Sequence, residues 1–523
     1  MDHAELFHTS SASIRGQASY VEEVARVEAE NARTPIIPSG LVIGICIAGW
    51  LALFVAAPGL SRYGFIGISF VCALYLFWKS EILYVSFVWW LYFLAPFLRR
   101  VVDNRAGFDS SSVMLAAPLF ACAIACIELL KMFRPDKRNL PFILGAAGVA
   151  YGLGVSLISG ASIPTAAQYF LGWLGPVAFG YLLYTRWQKY PAFRDGLQTT
   201  FKWGLLVMGL YALIQYLVAP VWDCFWMQNL PEGVSSFGTP EPLGIRAFST
   251  MNAPQPFALA LVLGLMITFY GRSSLVQKAA WVAGYIGLLL SMARSAWLEL
   301  GLALVVLAFV GRSRKVLSTV LIAICLLAIV AVAATKLPLG QAVTDRFKSL
   351  NDVSEDGSSQ ERLAGYDLIL KTPFADPFGK GWRIEAGNSD STRTDDGDSA
   401  SDDAMPIHDS TVVELRLTTG WFGLAIFYGS IIAAIFFMFR NARTSDDKLI
   451  AIACTMLLVL LVETLFNSLL AGPNELGLWT CIGLGLAACK HAEQSIIPQA
   501  TMPLGNGAGA NITWANPGWA SDL

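Results

Sequence analysis

Residues 279–310 read AAWVAGYIGLLLSMARSAWLELGLALVVLAFV, and Arg294 and Glu299 are the only charged side chains among them. A helix on the surface of a soluble protein shows one apolar stripe and one polar face. This stretch has no polar face, so it belongs in lipid or deep inside a bundle of helices. Split at Arg294, it reads as two short membrane spans, 279–293 and 295–311, folded as a hairpin with the arginine at the outer membrane surface. An arginine in such a place costs a few kcal/mol, on the order of 3 at a helix centre, and commonly marks function. Its bland alternative is a turn residue snorkelling to lipid phosphate.

The rest of the chain repeats the pattern. Of 523 residues, 55% are hydrophobic and 14% charged, against roughly 25% charged in soluble domains. Lys+Arg 36 and Asp+Glu 38 give a net charge of −2, which excludes a nucleic-acid binder working by bulk basicity. Apolar runs place spans at about 36–57, 63–79, 82–97, 112–132, 141–160, 163–185, 199–219, 253–271, 279–293, 295–311, 316–335, 412–438, 449–470 and 474–490. The expected fold is all-α: a polytopic membrane protein of about 14 spans, or 12 if short runs merge. The parts are a polar N-terminal tail (1–35), spans from 36 to 335 with an outer loop at 220–252, a large outer loop at 336–411, C-terminal spans from 412 to 490, and a Gly/Asn/Pro/Ala-rich tail at 491–523 that reads as disordered. The N-terminal tail lacks the apolar stretch of a signal peptide.

Eight of the 9 cysteines fall in apolar runs, where a thiol acts as a small hydrophobe. The exception, Cys224, has no partner in its loop, so a disulfide framework is excluded. Cys122 and Cys126 share a helical face without further soft ligands. Basic residues set the orientation. With the N-terminus cytoplasmic, the inner loops carry Lys131, Arg134, Lys137 and Arg138; Arg186, Lys189 and Arg194; Arg272 and Lys278; Arg312, Arg314 and Lys315; and Arg440, Arg443 and Lys448. Both termini come out cytoplasmic, and loops 220–252 and 336–411 face the exterior. Arg99, Arg100 and Arg105 break this pattern. No internal repeat is present, which weighs against many transporter folds.

Of the 4 histidines, only His408 falls in an outer loop, within Pro406-Ile407-His408-Asp409-Ser410. Imidazole suits proton transfer near neutral pH; the bland alternative is a loop histidine with no role. Arg246 ends the first outer loop, where the chain re-enters the membrane at Pro254. A guanidinium offers a fork of donors to phosphate oxygens. In the long loop Arg362 precedes Leu363, Tyr366 and Leu370, which are spaced for one helical face, and a turn follows at Pro377-Phe378-Gly379-Lys380-Gly381-Trp382-Arg383. Trp382 could stack on a sugar or anchor at the interface. Residues 388–403 are rich in Ser, Asp and Gly, and read as mobile; Asp396-Gly397-Asp398 within them is a weak metal motif.

These pieces, in order, resemble the O-antigen ligase and polymerase family of bacterial envelope enzymes, from about Gly244 to Leu424. Arg246 to Asn252 is similar to the family's arginine and Asn-Pro turn, and Ser291 to Trp297 to its Ser-Arg-Ser hairpin. Arg362 through Gly381 is similar to its arginine helix and Pro-x-Gly-x-Gly turn, and His408 through Gly420 to its histidine and paired glycine. Three departures are Asp409 where the family usually has Asn, Ala253 before Pro254, and Ala293 before Arg294. The resemblance implies a GT-C-like, all-helical membrane glycosyltransferase of the bacterial inner membrane. The donor would be a glycan on an undecaprenyl diphosphate carrier and the acceptor a sugar hydroxyl, with no cofactor, no obligatory metal and no nucleotide sugar. It also implies a flippase and a chain-length regulator as protein partners, and none from nucleic acid. His408 would then be the catalytic base, with Arg246, Arg294, Arg362 and Asp409 binding substrate; Asp409 could instead serve as base or orient His408. Independently of the family, a departing diphosphate needs positive charge and an acceptor hydroxyl needs a base.

Polymerisation of O-antigen or exopolysaccharide units is the leading expectation, because a ligase needs a lipid A-core partner that demands a particular cell type. The ligase is the alternative. From another class, a lipid-linked glycan flippase needs charge along a central cavity, and Glu128, Glu299 and Glu463 do not cluster by sequence.

Overall fold

The structure is a computed structural model that describes residues 38–132, 136–230, 237–311, 317–318, 363, 365–367, 369–371, 376–382, 410–470 and 472–500. Among them the chain forms α1 (Ser39–Ala56), α2 (Pro58–Lys79), α3 (Glu81–Ala106) and α4 (Ala116–Ala123), the last flanked by the 3₁₀ turns Val113–Leu115 and Ile124–Lys131. Then come α5 (Leu140–Ile158), α6 (Ile163–Thr185), α7 (Tyr190–Val218), α8 (Val221–Gln228), α9 (Pro254–Ile267), α10 (Leu275–Leu290) and α11 (Arg294–Gly311). The C-terminal part is α12 (Thr411–Thr418), α13 (Gly420–Thr444), α14 (Lys448–Glu463) and α15 (Gly472–Ala500). No strand forms among the described residues; Gly238 and Ile245 make an isolated bridge.

Eight of the described helices are long and apolar enough to cross a membrane. With the helical content this makes the chain an all-α, multi-pass membrane protein. α1 shows the solvent it was made for: Leu41, Ile45, Leu51 and Val55 are exposed and only Trp50 is buried. Such an apolar outer face is stable in lipid and would be a liability in water. Inside the bundle, α6 and α15 cross at Gly180 and Gly483, where a Cβ on either would collide with the other helix. Small residues at a crossing let backbones approach closely when no hydrophobic force drives helices together.

Three spans depart from the sequence reading. The run at 412–438 is two helices, because Gly420, at φ 67°, turns the chain between α12 and α13. The run at 449–470 is helical only to Glu463, and 464–470 is an irregular segment. The last helix continues past His491 to Ala500, where the sequence suggested a disordered tail. Arg138 bonds Glu493 at 2.5 Å, and Lys490 bonds Asp136 at 2.9 Å, which ties that helix to the 136–139 turn. Burial would raise the Asp136 carboxyl. Hydrogen bonds from Lys490, Tyr184 and the Arg138 N–H outweigh it and hold the group below its ordinary range. Segment 220–252, expected as an outer loop, has internal structure among its described residues: α8 and a small core of Trp226, Phe237, Ile245 and Phe248.

Two of the arginines that broke the orientation pattern are interior groups. Arg100 is buried and pairs with Asp223 at 2.6 Å; Arg99 pairs with Asp103 at 3.2 Å. Arg105 lies over the Phe54 ring. The span expected at 316–335 lies outside the described residues apart from 317–318.

Candidate active site

The stretch from Arg246 to Asn252 has no regular secondary structure, so each of its buried backbone groups needs an individual partner. Gln215 of α7 supplies two: its side-chain oxygen accepts from the Phe248 N–H at 2.9 Å and the Ser249 N–H at 2.7 Å. Arg100 supplies two more, donating to the Met251 carbonyl at 2.6 Å and to the Ser249 carbonyl. Asp223 joins these two side chains. It takes Arg100 on one oxygen, and the Gln215 amide (2.8 Å) and Tyr211 hydroxyl (2.7 Å) on the other. Arg100 also lies 4.8 Å from the centre of the Phe248 ring. The clamp holds Ser249 in the left-handed region, at φ 52°. A buried ion pair keeps its charges at tolerable cost only when its remaining hydrogen bonds are made, as they are here.

The clamped stretch abuts the turn between α10 and α11. The Ala247 N–H donates to the Leu290 carbonyl at 2.9 Å, and the Arg246 guanidinium reaches the Met292 carbonyl at 3.4 Å. The turn is tight, with Met292 at φ 51°, and Ser291 fixes it by accepting from the Ala293 N–H at 3.2 Å. Trp297 donates to the Leu288 carbonyl at 2.8 Å, stapling α11 to the end of α10. Arg294 is the first residue of α11. Arg246 and Arg294, far apart in sequence, thus sit at one end of the bundle, both half-buried. In the same stretch Thr250 Oγ1 and Asn252 Oδ1 are shielded and have no hydrogen-bond partner among the described residues.

Beside Arg294 begins a polar network that joins four parts of the chain. Ser295 Oγ accepts from Gln255 of α9 at 2.9 Å and from Asn467 at 3.4 Å. Asn467 also donates to Glu463 at the end of α14. The Asn467 carbonyl accepts from the Thr411 N–H at 3.2 Å and its hydroxyl at 2.8 Å, while the Thr464 carbonyl takes the Val412 N–H at 3.4 Å. These bonds satisfy N–H groups that a helix start leaves open, so segment 464–467 acts as the cap of α12. Ser410 bonds the Thr464 carbonyl at 3.2 Å and meets the Tyr366 hydroxyl at 3.0 Å. Glu414 accepts from Ser468 at 2.6 Å. Ser410 directly follows Asp409 in the chain, and Tyr366 lies four residues after Arg362 in the sequence.

The turn at Pro377–Trp382 seals the other end of α12. Lys380 and Gly381 N–H groups donate to the Leu417 and Thr418 carbonyls at 2.9 and 2.8 Å, and the Trp421 N–H returns to the Pro377 carbonyl at 3.0 Å. Gly379 and Gly381 have φ of 86° and 80°, and a Cβ on Gly379 would collide with the Thr418 carbonyl. That is the physical need behind the glycines of this turn. Trp382 is 1% exposed, stacked at 5.9 Å on Tyr169 and edge-on to Trp173 at 5.1 Å. In this arrangement it anchors the turn and offers no open face to a sugar.

Of the sequence candidates, Arg246 and Arg294 are therefore brought together. Arg362, His408 and Asp409 lie outside the described residues, as do Arg383 and Asp396 to Asp398. Sequence reasoning missed Arg100, Gln215 and Asp223, and also Gln255, Ser295 and Asn467. The signal for Asn467 was available: it stands one helical turn after Glu463 in an otherwise apolar run. Glu299 and Glu463, which do not cluster by sequence, lie on the packed helices α11 and α14, close enough to interact electrostatically. Glu128 is elsewhere, paired with Lys131 and Arg186.

Residues 279–428 match the family model described as O-antigen ligase. The match takes in Arg294, Arg362, His408 and Asp409 and begins after Arg246. No curated protein matches the chain.

Proposed function

We propose that the chain is a membrane glycosyltransferase of the ligase and polymerase type that polymerises lipid-linked glycan units, a reading supported by the match of residues 279–428 to the O-antigen ligase model. The donor is a glycan on undecaprenyl diphosphate; the acceptor is a hydroxyl of a second lipid-linked glycan. The observation that carries this reading is the pairing of Arg246 and Arg294 at one end of the bundle, next to the network that fixes Ser410. The acceptor oxygen attacks the anomeric carbon of the donor, and the bond from that carbon to the diphosphate oxygen breaks. The acceptor's proton passes to His408, oriented by Asp409. The charge left on the diphosphate is held by the Arg246 and Arg294 forks, with Arg362 as a further cation. Arginines serve this purpose without a metal. The bundle end with Arg246 faces the exterior of the inner membrane, and both termini are cytoplasmic. A flippase would deliver the donor to that face, and a chain-length regulator would limit the product.

The test is a reconstitution of the purified chain with a single lipid-linked repeat unit and no other acceptor. A ladder of lipid-linked oligomers in the mass spectrum is the expected result. No ladder, together with transfer of the glycan to added lipid A-core, would replace polymerase by ligase. Carrier-linked units crossing the bilayer without new glycosidic bonds would replace both by a flippase.

A further inference from the structure

We propose that the end of the bundle opposite Arg246 and Arg294 holds a second binding site, for the phosphate of an anionic lipid headgroup. A cavity of about 860 Å³ opens there, between the start of α7, the turn from α9 to α10, and the start of α14. Helices α9 and α10 separate it from the arginine pair: Tyr270, Gly271 and Arg272 lie beyond one end of α9, and Arg246 precedes the other.

Its charge balance is uneven in a way that points to an anion. Lys202, Arg272 and Lys448 line the cavity, and among the described residues none of the three has an acidic group within ion-pair distance. The acids present are Asp195, Asp446 and Asp447, and two of them are engaged. Asp195 pairs with Arg194 at 2.9 Å. Asp447 accepts from the Tyr190 hydroxyl at 2.6 Å and caps α14 through the Leu449 N–H at 3.0 Å, with Arg194 at 3.9 Å. What is left is a surplus of donors. Gln277 adds a different kind of observation. It lines the cavity, is 7% exposed, and its side-chain N–H₂ has no hydrogen-bond partner among the described residues. A buried donor left open costs about 1–3 kcal/mol. A phosphate oxygen accepting from that amide, beside three uncommitted cations, removes the cost.

Membrane position favours a lipid as the source. Trp203 and Tyr270, both exposed, flank the cavity at Lys202 and Gly271, and the exposed Leu275 and Val276 precede Gln277. Exposed Trp and Tyr mark the bilayer interface, and basic pockets between spanning helices at that level take anionic headgroups. The acyl chains would lie along the apolar outer surface while the phosphate enters the cavity.

The full-length protein in nanodiscs decides this. Phosphatidylglycerol in a phosphatidylcholine background should bind saturably and raise the thermal midpoint. Inorganic pyrophosphate, titrated in neutral detergent against a variant carrying both Arg246→Ala and Arg294→Ala so that the transfer site does not contribute, is the free-phosphate arm. Replacing Arg272 and Lys448 together by Gln should weaken binding of the responding probe about tenfold or more, as expected for losing two charge-assisted hydrogen bonds. Gln277→Leu should do the same in part, and reads the site independently should the double variant fail to accumulate. Arg246→Lys should leave phosphatidylglycerol binding unchanged, which separates it from the transfer reaction. Saturable pyrophosphate binding without any phosphatidylglycerol effect would overturn the lipid source. Absence of saturable binding by both probes, or wild-type affinity in Gln277→Leu and in the double variant, would overturn the site.

Discussion

Arg294 shows what a single residue can carry here. It stands at the first position of α11 because Ser291 and Met292 turn the chain just before it, and Arg246 is bound to the same turn through the Met292 carbonyl. Two forked cations so placed suit a diphosphate, and a point charge does not replace a fork. Arg246→Lys and Arg294→Lys should each lower transfer about tenfold or more, in keeping with roughly 1.5–3 kcal/mol for a hydrogen bond to a charged group. Full activity of Arg294→Ala, in protein that reaches the membrane normally, would remove Arg294 from the site. A general base contributes about 10²–10⁴-fold. His408→Gln keeps shape and hydrogen bonding but not basicity, so transfer should fall by that range with donor binding retained. Near wild-type transfer by His408→Gln, with loss in Asp409→Asn, would assign the base to Asp409.

At the scale of elements, irregular segments carry the candidate site residues, and each is held by side chains from neighbouring helices. Gln215 is the clearest case, because one side-chain oxygen satisfies the N–H groups of both Phe248 and Ser249. Gln215→Leu leaves two buried donors open, at about 1–3 kcal/mol each, and frees the stretch that carries Arg246. The expected outcome is a lower thermal midpoint and a donor KM that rises while the acceptor KM stays put. An equal change in both would make Gln215 a general stability residue instead of a positioning one. The turn at Pro377–Trp382 works on α12 in the same manner. Gly379→Ala forces a Cβ toward the Thr418 carbonyl at a φ of 86°, so it should destabilise the fold, by more than the approximately 1 kcal/mol typical of an unfavourable backbone substitution. Unchanged thermal unfolding of this variant would show that the turn adapts.

The whole molecule has two chemically different ends. One collects Arg246, Arg294, Ser410 and segment 464–470. The other collects the basic loops, tied by Arg186–Glu81, Lys490–Asp136 and Arg138–Glu493. An excess of basic loop residues at one end is what the positive-inside rule expects of a cytoplasmic face and supports the proposed orientation, while Arg99, Arg100 and Arg105 lie toward the other end and are held there by local partners. Reporter fusions after Gly340 and after Arg443 should give opposite signals, exterior for the first and cytoplasmic for the second. Identical signals from the two would defeat the alternation on which the orientation rests.

Residues 279–310 were enough to place the chain in a membrane, because apolarity on every face of a helix is a local property of sequence. The resemblance of residues 279–428 to O-antigen ligases was legible for a related reason: an arginine between two apolar runs, or a Pro-x-Gly-x-Gly turn, is visible without knowing its neighbours. The break at Glu463 was not legible, since the apolar run continues through it and only the partners of the open backbone groups explain why the helix stops there; at Gly420 the left-handed turn that separates α12 from α13 is fixed by the Pro377–Gly381 segment packed on it. Nor could the sequence tell that Arg99 and Arg100 are interior while Arg294 reaches a turn; all three read as charges beside apolar runs. What separates them is Asp103, Asp223 and Gln215, contributed by other parts of the chain. Burial of a charge depends on which partners arrive from elsewhere in the chain, and that pairing exists only once the helices have packed.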